Sequence, residues 1–398
     1  MNIAMISYHT CPRASAEGKE TGGMNVYVLE LSRALGKLGH HVDIFTRSHE
    51  TSDPLVIEES ANVRVFHVRA GPQQTLPKHQ LLRYIPEFVE HARTFVRREQ
   101  IRYDLMHAHY YQSGLVARKV LETREIPFVM SFHTLALMKN LVARDTLERE
   151  GQFRIHAEFS LMHRADAIIA SSDNDKEYMR YLYDADNSKL SVIHPGIDTH
   201  LFHPMDKTVA RVRIGASREH KIVLFVGRVE PLKGIDTLMY AMKILKRKYP
   251  RETICLWIVG GDTSEAEARW PKTLRELSIL RKTLGIDETS VHFVGRKPQT
   301  ELPYYYNSAD VVVMPSHYES FGMSALEAMG CGTPVITTNV AGISAQVEHV
   351  ISVNNPILLA DRISHVLSEH SAAEPLAKAF TWELSAQKTV GVYEDVMS

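Results

Sequence analysis

The sequence lacks the features that mark several large classes of protein. Its 398 residues contain three cysteines, and Cys11, Cys255 and Cys331 fit no metal-binding spacing, which favours a reducing compartment. No apolar run approaches the ~20 residues that span a bilayer, and no basic leader precedes the first apolar run. The 46 lysines and arginines balance 47 aspartates and glutamates, so nucleic acid and polybasic membrane binding are not expected. We therefore expect a cytoplasmic protein without a transmembrane segment.

Two catalytic signatures are also missing. No Gly-x-Gly-x-x-Gly fingerprint occurs, which weakens a nicotinamide or flavin interpretation. No His-Glu-x-x-His pattern occurs among the 21 histidines, so most of them are expected to be surface or core residues.

The chain does have a regular alternation of short β-type runs and helical patterns, which predicts parallel sheets with helices on both faces. Its length predicts two domains, and a linker-like cluster of proline, glycine and polar residues follows His194. The predicted strands are Asn2–Ser7, Val42–Arg47, Val63–Arg69, Leu105–Ala108, Phe128–Ser131, Ala167–Ala170, Leu190–Ile193, Lys221–Val226, Ile254–Val259, Val291–Val294, Asp310–Met314 and Pro334–Thr337. The predicted helices include one stopping near Gly39 with an apolar stripe from Met24 to Leu38, then Ile235–Lys248, Lys272–Leu284, Leu302–Ser308 and Thr381–Met397.

A strand, a polar turn and a helix follow one another around Glu319. The apolar run that ends at Pro315 leads to Glu319-Ser-Phe-Gly322, and Glu327 follows within the helix. Open α/β sheets bind ligands at the edge where their parallel strands end. Two carboxylates at this edge suit paired sugar or ribose hydroxyls, which need hydrogen-bond acceptors.

Two further loops have the composition of phosphate sites. Gly22-Gly23 precedes the first long helix, where absent side chains and free N–H groups favour an anion, although a flexible turn explains the glycines equally well. In the second half, Arg228 and Lys233 lie between a strand and a helix. A guanidinium fork and a mobile ammonium suit a diphosphate whose charge grows as it leaves.

Single polar residues in the first half give weaker signals. His133 follows a strand and is able to bond a sugar hydroxyl, although a lone histidine is more often structural. Lys78, Tyr110 and Arg154 have no special standing from the residues alone.

Together these segments resemble a retaining nucleotide-sugar glycosyltransferase of family 4. The markers are Gly22-Gly23, His133, Arg228 with Lys233, and Glu319 with Glu327, in this order over nearly the whole chain. The resemblance implies the GT-B fold, with two Rossmann-like, doubly wound domains facing a cleft. It implies an acceptor-binding domain over residues 1–198, a nucleotide-sugar domain over 199–380, and a helix over 381–398 that packs back on the first domain.

The resemblance also implies the donor site. Glu327 would accept from ribose hydroxyls, Glu319 from the donor sugar, and Arg228 and Lys233 would stabilise the diphosphate. His133 would contact the hydroxymethyl group of the sugar. The implied catalytic set is His133, Arg228, Lys233 and Glu319, and the implied donor-binding set is Gly22, Gly23, Arg228, Lys233, Glu319, Phe321, Gly322 and Glu327.

Within the family, the first half is most similar to enzymes that add N-acetylglucosamine to inositol 3-phosphate, and a segment from Ala70 to Phe88 is similar to sucrose-phosphate and sucrose synthases. The implied acceptor-binding residues are Asn25, Lys78, Tyr110, Thr134 and Arg154. Because an unpaired buried charge is costly, we expect an acceptor phosphate to satisfy Lys78, Thr134 and Arg154. The acceptor stays open between inositol phosphate and fructose 6-phosphate.

The implied reaction is a front-face transfer in which the leaving phosphate takes the acceptor proton. It requires no cofactor beyond the UDP-sugar donor and no metal, and a homodimer is compatible with it. A UDP-sugar epimerase, a phosphorylase and a non-catalytic sugar-nucleotide-binding protein are alternatives with the same architecture. The chain departs from the family pattern after Glu348, where relatives usually carry a glycine-containing segment and a strand, because residues 347–354 look too short for both. The stretch 370–380 also looks abbreviated.

Overall fold

The computed structural model describes residues 1–13, 22–123, 125–369 and 379–398. These residues form two compact units. The first contains the described residues up to Gly196 together with Trp382–Ser398, and the second contains Ile197–Thr381. Each unit has one sheet whose strand order reverses direction along the chain, so the prediction of two Rossmann-like, doubly wound domains is confirmed.

The first unit has an eight-stranded sheet in the described part of the chain, with the order β3-β4-β2-β1-β5-β6-β7-β8. All neighbours pair in parallel except β3 and β4. The strands are β1 (Asn2–Ile6), β2 (His41–Arg47), β3 (Val56–Ser60), β4 (Val63–Val68), β5 (Leu105–His109), β6 (Phe128–Ser131), β7 (Ala167–Ala170) and β8 (Leu190–Val192). The helices are α1 (Gly23–Lys37), α2 (Lys78–Leu81), α3 (Ile85–Arg98), α4 (Tyr111–Leu121), α5 (Ala136–Val142), α6 (Gln152–Arg164), α7 (Asp173–Leu182) and the C-terminal helix Trp382–Met397.

Helix α1 shows how the apolar stripe becomes a packed face. Val28, Leu31 and Leu35 recur at helical spacing and are fully buried, whereas Leu38 lies beyond the last turn and is 41% exposed. The C-terminal helix belongs to this unit, and the indole ring of Trp382 meets the ring of Tyr27 on α1 edge-on at 5.5 Å.

The second unit has a six-stranded parallel sheet over its described residues, with the order β11-β10-β9-β12-β13-β14. The strands are β9 (Lys221–Val226), β10 (Ile254–Val259), β11 (Val291–Gly295), β12 (Val311–Met314), β13 (Val335–Thr338) and β14 (His349–Ile351). The helices are α8 (Lys207–Ile214), α9 (Ile235–Lys248), α10 (Lys272–Thr283), α11 (Leu302–Ser308), α12 (Met323–Gly330) and α13 (Pro356–Glu369).

Strand β9 is apolar on both faces because both faces are covered. Val223 and Phe225 point into one apolar core with α9, α10 and α13, and Ile222 and Leu224 point into another with α11 and α12. A parallel strand buried on both sides has a continuous apolar sequence, and this is why β9 and β10 have the predicted bounds.

Two short strands were not predicted. Strand β3 is an antiparallel edge strand that is only partly buried, and strand β14 pairs with β13. Residues 347–354 thus include a strand of three residues, although the sequence predicted that this segment is too short for the family's glycine-containing segment and strand together. Most of the predicted abbreviated stretch 370–380 lies outside the described residues. Over the described ranges, no helix has the length and apolarity required to cross a membrane.

The strand orders define one switch point in each sheet. In the first sheet, β2 lies on one side of β1 and β5 lies on the other, so the switch point is between β1 and β5. In the second unit the switch point lies between β9 and β12. Ligands of open α/β sheets bind where the strands end beside such a point.

Candidate functional site

Three aromatic side chains follow strand ends at the switch point of the first unit. His9 follows β1, Tyr110 follows β5, and His133 follows the neighbouring β6. Tyr110 and His133 have φ of 75° and 61°, a left-handed conformation that costs a non-glycine residue about 1–3 kcal/mol. Such strain is typical of functional edges, where the surrounding fold holds it. Burial lowers the pKa of His133 to about 3, so its partly exposed imidazole is neutral.

Arg154 is the centre of a buried ion-pair network. It lies in the first turn of α6 and is 4% exposed. Its Nε donates to Glu158 Oε1 at 2.7 Å, and its Nη1 lies 2.7 Å from Glu150 Oε1. Its Nη2 donates to the carbonyl and hydroxyl oxygens of Thr134 at 2.9 and 3.1 Å. The expectation that Arg154 needs a phosphate to satisfy its charge was therefore wrong, because two carboxylates already do so.

Tyr110 joins this network to Lys78. The ring centre of Tyr110 lies 4.9 Å from the Arg154 guanidinium carbon and 5.5 Å from Lys78 Nζ. The structure thus brings together four of the predicted acceptor-site residues, and we call Lys78, Tyr110, Thr134 and Arg154 the cationic cluster. Lys139 also pairs with Glu150, so Lys139 and Arg154 share two carboxylates, Glu150 and Glu158. The charge of Lys78 is close enough to help lower the pKa of Glu150, so the three cations exceed the two carboxylates by one charge. The excess positive charge and the hydroxyl groups can bind a phosphate.

The side chain of Asn25 supports the loop after β1. Its Nδ2 donates to Thr10 Oγ1 at 2.9 Å and to the carbonyl oxygen of Cys11 at 2.8 Å. Both amide donors are used within the protein, and Asn25 Oδ1 accepts from the Thr10 hydroxyl at 3.3 Å, so a ligand would have to share this oxygen with Thr10. Gly22 precedes α1 and Gly23 is its first residue. Residues 14–21 before them lie outside the described part of the chain.

His9 is a candidate that sequence reasoning missed. Its ring lies 4.6 Å from that of Tyr110, and its side chain is 6% exposed. Its Nδ1 is buried without a hydrogen-bond partner among the described residues. Burial and the charges of Lys78, His49, His133 and Arg154 lower its pKa, so it remains neutral. Its position directly after β1, at the sheet edge, was the only signal available in the sequence.

At the switch point of the second unit, Lys233 and Glu319 meet. Lys233 ends a short turn after β9, Glu319 follows β12, and Lys233 Nζ lies 2.5 Å from Glu319 Oε2. The side chains are 14% and 19% exposed. Gly234 makes this approach possible, because it has φ 65° and a Cβ there would collide with the carbonyl oxygen of Pro315. Two predicted residues 86 positions apart thus form one charged pair.

The other predicted donor residues have separate surroundings. Arg228 Nη1 lies 2.7 Å from Glu230 Oε1, and both side chains are more than a third exposed. Phe321 is 3% exposed and its ring packs in the apolar core 6.0 Å from that of Phe380, so its backbone is what it can offer a polar ligand. Gly322, with φ 117°, turns the chain into α12.

Glu327 is a buried carboxylate on α12. It is 6% exposed, Tyr306 donates its hydroxyl to Oε2 at 2.6 Å, and Gln299 donates to Oε1 at 3.3 Å. Burial raises its pKa to about 7, although the two hydrogen bonds act in the opposite direction. Hydroxyl donors from a ligand would favour the charged form of this group.

We expect Glu327 to make the protein less stable as pH rises. Its carboxyl holds a proton in the folded protein between about pH 4.5 and 7, where the unfolded chain has lost it, so the free energy of unfolding falls over this range by up to about 3 kcal/mol. Denaturant titrations at several pH values should show this slope in the parent and a smaller slope in Glu327→Gln. Glu276→Gln, at an exposed pair with Lys272, is the control. Equal slopes in all three proteins would contradict the assignment.

Known proteins resemble the chain over its whole length. The model of Glycosyltransferase Family 4 matches residues 21–201, and that of Glycosyl transferases group 1 matches residues 206–380. A D-inositol 3-phosphate glycosyltransferase from Kribbella flavida is 34% identical, covering 98% of this chain and 95% of its own. A protein of the same name from Corynebacterium urealyticum is 35% identical, covering 100% and 96%.

Two solved structures extend the comparison. Sucrose-phosphate synthase from Thermosynechococcus elongatus has a TM-score of 0.87 at 31% identity, covering 99% of this chain and 98% of its own. Anabaena Alr3699/HepE, solved with UDP and glucose, has a TM-score of 0.74 at 19% identity, covering 98% and 99%, and this likeness shows the fold alone.

Proposed function

The chain is a glycosyltransferase of family 4, and we propose that it moves a hexosyl group from a UDP-sugar to a phosphorylated small acceptor with retention of the α configuration. The group is glucose or N-acetylglucosamine. Its relatives are GT-B enzymes, in agreement with the predicted fold class.

The cationic cluster is the observation that carries the phosphorylated acceptor. Lys78 and Arg154 both lie against the ring of Tyr110, and the hydroxyl of Thr134 faces the Arg154 guanidinium. Lys78, Lys139 and Arg154 exceed the carboxylates Glu150 and Glu158 by one positive charge. A neutral sugar does not need this excess charge, whereas a phosphate would neutralise it and accept from the hydroxyl groups. The cluster lies beside the β1/β5 switch point, so a phosphate there would place the rest of the acceptor near His9 and His133.

The donor half of the proposal rests on the β9/β12 switch point. The Lys233 ammonium would bond in part to the diphosphate and no longer fully to Glu319. It would neutralise the charge that grows on the leaving diphosphate, and Arg228 would be the second cation. Glu319 would then accept from hydroxyls of the donor sugar, and Glu327 from those of the ribose. His133 would contact the hydroxymethyl group of the sugar. In this scheme the leaving phosphate oxygen takes the acceptor proton, so no protein nucleophile is required.

Two acceptors have specific support. Inositol 3-phosphate is favoured by the similarity to D-inositol 3-phosphate glycosyltransferases, and fructose 6-phosphate by the similarity to a sucrose-phosphate synthase. A screen of UDP-glucose and UDP-N-acetylglucosamine against both acceptors, with the product anomer read by NMR, tests the proposal. Transfer to a phosphorylated acceptor with an α-linked product supports it. Release of free UDP and an altered sugar without acceptor would indicate an epimerase, and binding without turnover would indicate a non-catalytic protein.

Lys78→Met should weaken the use of the phosphorylated acceptor. One charge-assisted hydrogen bond contributes about 1.5–3 kcal/mol, so the acceptor KM should rise about 10- to 100-fold while the donor KM stays near that of the parent. The dephosphorylated acceptor should be poor for the parent and lose little further in the variant. Lys119→Met, at an exposed pair with Glu122, is the matched control. Equal use of both acceptors by the parent would refute the phosphate pocket.

Metal removal should leave the reaction intact. Lys233 and Arg228 supply the positive charge that a divalent cation supplies in other transferases, so we propose that no metal is required. Initial rates should be the same before and after dialysis against a chelator. A loss of rate that added Mg²⁺ restores would contradict this proposal.

A further inference from the structure

A second histidine lies directly behind His133. His109 ends β5, is fully buried, and pairs in the sheet with Ser131 of β6. Its Nδ1 lies 2.9 Å from His133 Nε2. The centres of the two rings are 5.2 Å apart and their planes differ by 27°. Burial keeps the pKa of both rings far below neutral, so each ring carries one proton.

The neighbour on the other side of His109 fixes where its proton lies. His109 Nε2 lies 2.7 Å from the thioether sulfur of Met5. A thioether can only accept a hydrogen bond, so Nε2 of His109 must carry the proton and its Nδ1 must be the acceptor. His133 then donates its Nε2 proton to His109, and its own Nδ1 carries a lone pair.

The rings around this pair prevent it from rearranging. The ring of His107 lies 4.2 Å from that of His109, and its two nitrogens lie 2.7 Å from the Tyr393 hydroxyl and 2.9 Å from Ser131 Oγ. Tyr27 packs edge-on against His133 at 4.9 Å. The C-terminal helix, which carries Tyr393, thus supports the histidines from behind the sheet edge.

We propose that His109 is a positioning residue that fixes the tautomer of His133, so that His133 acts through Nδ1 as a hydrogen-bond acceptor for a hydroxyl of the donor sugar. This inference rests on the proposed function for the identity of the ligand, but not for the tautomer itself. It predicts that a donor sugar needs a hydroxyl proton at this position. A donor with hydrogen or fluorine in place of that hydroxyl should be a poor substrate, because neither group can donate to Nδ1.

The tautomer can be measured without any assay of activity. Long-range ¹H–¹⁵N spectra of histidine-labelled full-length protein distinguish protonated from unprotonated ring nitrogens, and His133→Gln identifies the His133 signals. We expect Nε2 to be protonated in both His133 and His109. In Met5→Leu the His109 signals should change, whereas Met130→Leu, a buried methionine beside Gly114 and Leu161, should leave them unchanged.

The role in turnover is tested by two substitutions of His109. His109→Leu removes the acceptor and should lower kcat/KM for the donor about 10- to 100-fold, by analogy with the loss of groups that orient metal-binding histidines. His109→Asn places an oxygen near the former Nδ1 and should restore much of the activity. Thermal unfolding of both variants separates this effect from loss of the fold.

The outcomes separate this inference from the proposed function. The predicted tautomer, its change in His109→Leu, and rescue by His109→Asn support the inference. An unprotonated Nε2 in His133, or a His109→Leu variant with the tautomer and kcat/KM of the parent, overturns it. A parent without transferase activity would refute the proposed function, and the spectra would still decide the tautomer.

Discussion

Lys233→Ala should lower turnover by about 10²–10³-fold, or roughly 3–4 kcal/mol of transition-state stabilisation. The reason is that charge develops on the leaving diphosphate, and the Lys233 ammonium lies where β9 and β12 diverge, paired with Glu319 and only 14% exposed. A poorly hydrated cation interacts more strongly with a developing anion than a surface lysine does. Steady-state kinetics at saturating donor measures the loss, and calorimetric titration with UDP should show weaker binding.

The control is a lysine of the same unit that has no such position. Lys248 pairs with Asp361 at 3.1 Å, and both side chains are more than half exposed, so Lys248→Ala should keep the turnover of the parent. Arg228→Ala should act in the same direction as Lys233→Ala. If both variants turn over like the parent, the diphosphate is bound elsewhere and the assignment of this switch point is wrong.

Arg154→Ala should destabilise the first unit by about 3–5 kcal/mol, in addition to any effect on the acceptor. Glu158 is fully buried and loses the cation at 2.7 Å, although Tyr183 and the amide of Ala136 still donate to it. A buried carboxylate without its cation pays the full desolvation cost. Denaturant unfolding measures the change in the free energy of unfolding.

Two companion variants separate the buried pair from a general effect of losing arginine. Arg144→Ala breaks a pair with Glu148 whose side chains are 47% and 25% exposed, and should cost no more than about 1 kcal/mol. Arg154→Met combined with Glu158→Gln removes both charges and should recover part of the stability lost in Arg154→Ala. An Arg154→Ala protein as stable as the parent would show that the network is not structural.

Arg154 is therefore an ambiguous test of acceptor binding, and Lys78 is the sharper one. Loss of Arg154 would remove a structural cation and, in the proposed site, a phosphate-binding group at once. Lys78 lies on the short helix α2 and is partly exposed, and its Nζ reaches the Tyr110 ring. An increase of the acceptor KM in Lys78→Met, without a loss of stability, can be attributed to the ligand.

The fold class was predictable from the sequence, and so was the assignment of the candidate site residues to loops that follow strands. Strands β9 and β10 were predictable because strands covered on both faces are continuously apolar, and α9 because its apolar residues recur at helical spacing. Strands β3 and β14 were not, since short edge strands have neither signal. Gly22, Lys233 and Glu319 lie in the predicted loops. These loops could be predicted because a strand followed by a polar turn and a helix is a local sequence pattern.

Which of these residues lie close together depends on the tertiary structure. The pairing of Lys233 with Glu319 depends on two loops meeting at a switch point, and the carboxylate partners of Arg154 depend on how α6 packs. His133 was recognisable as a single residue, but His109 and Met5, from which we infer its tautomer, come from two other strands. Long-range contacts of this kind leave no local pattern, because burial, proton position and charge pairing depend on neighbours distant in the chain.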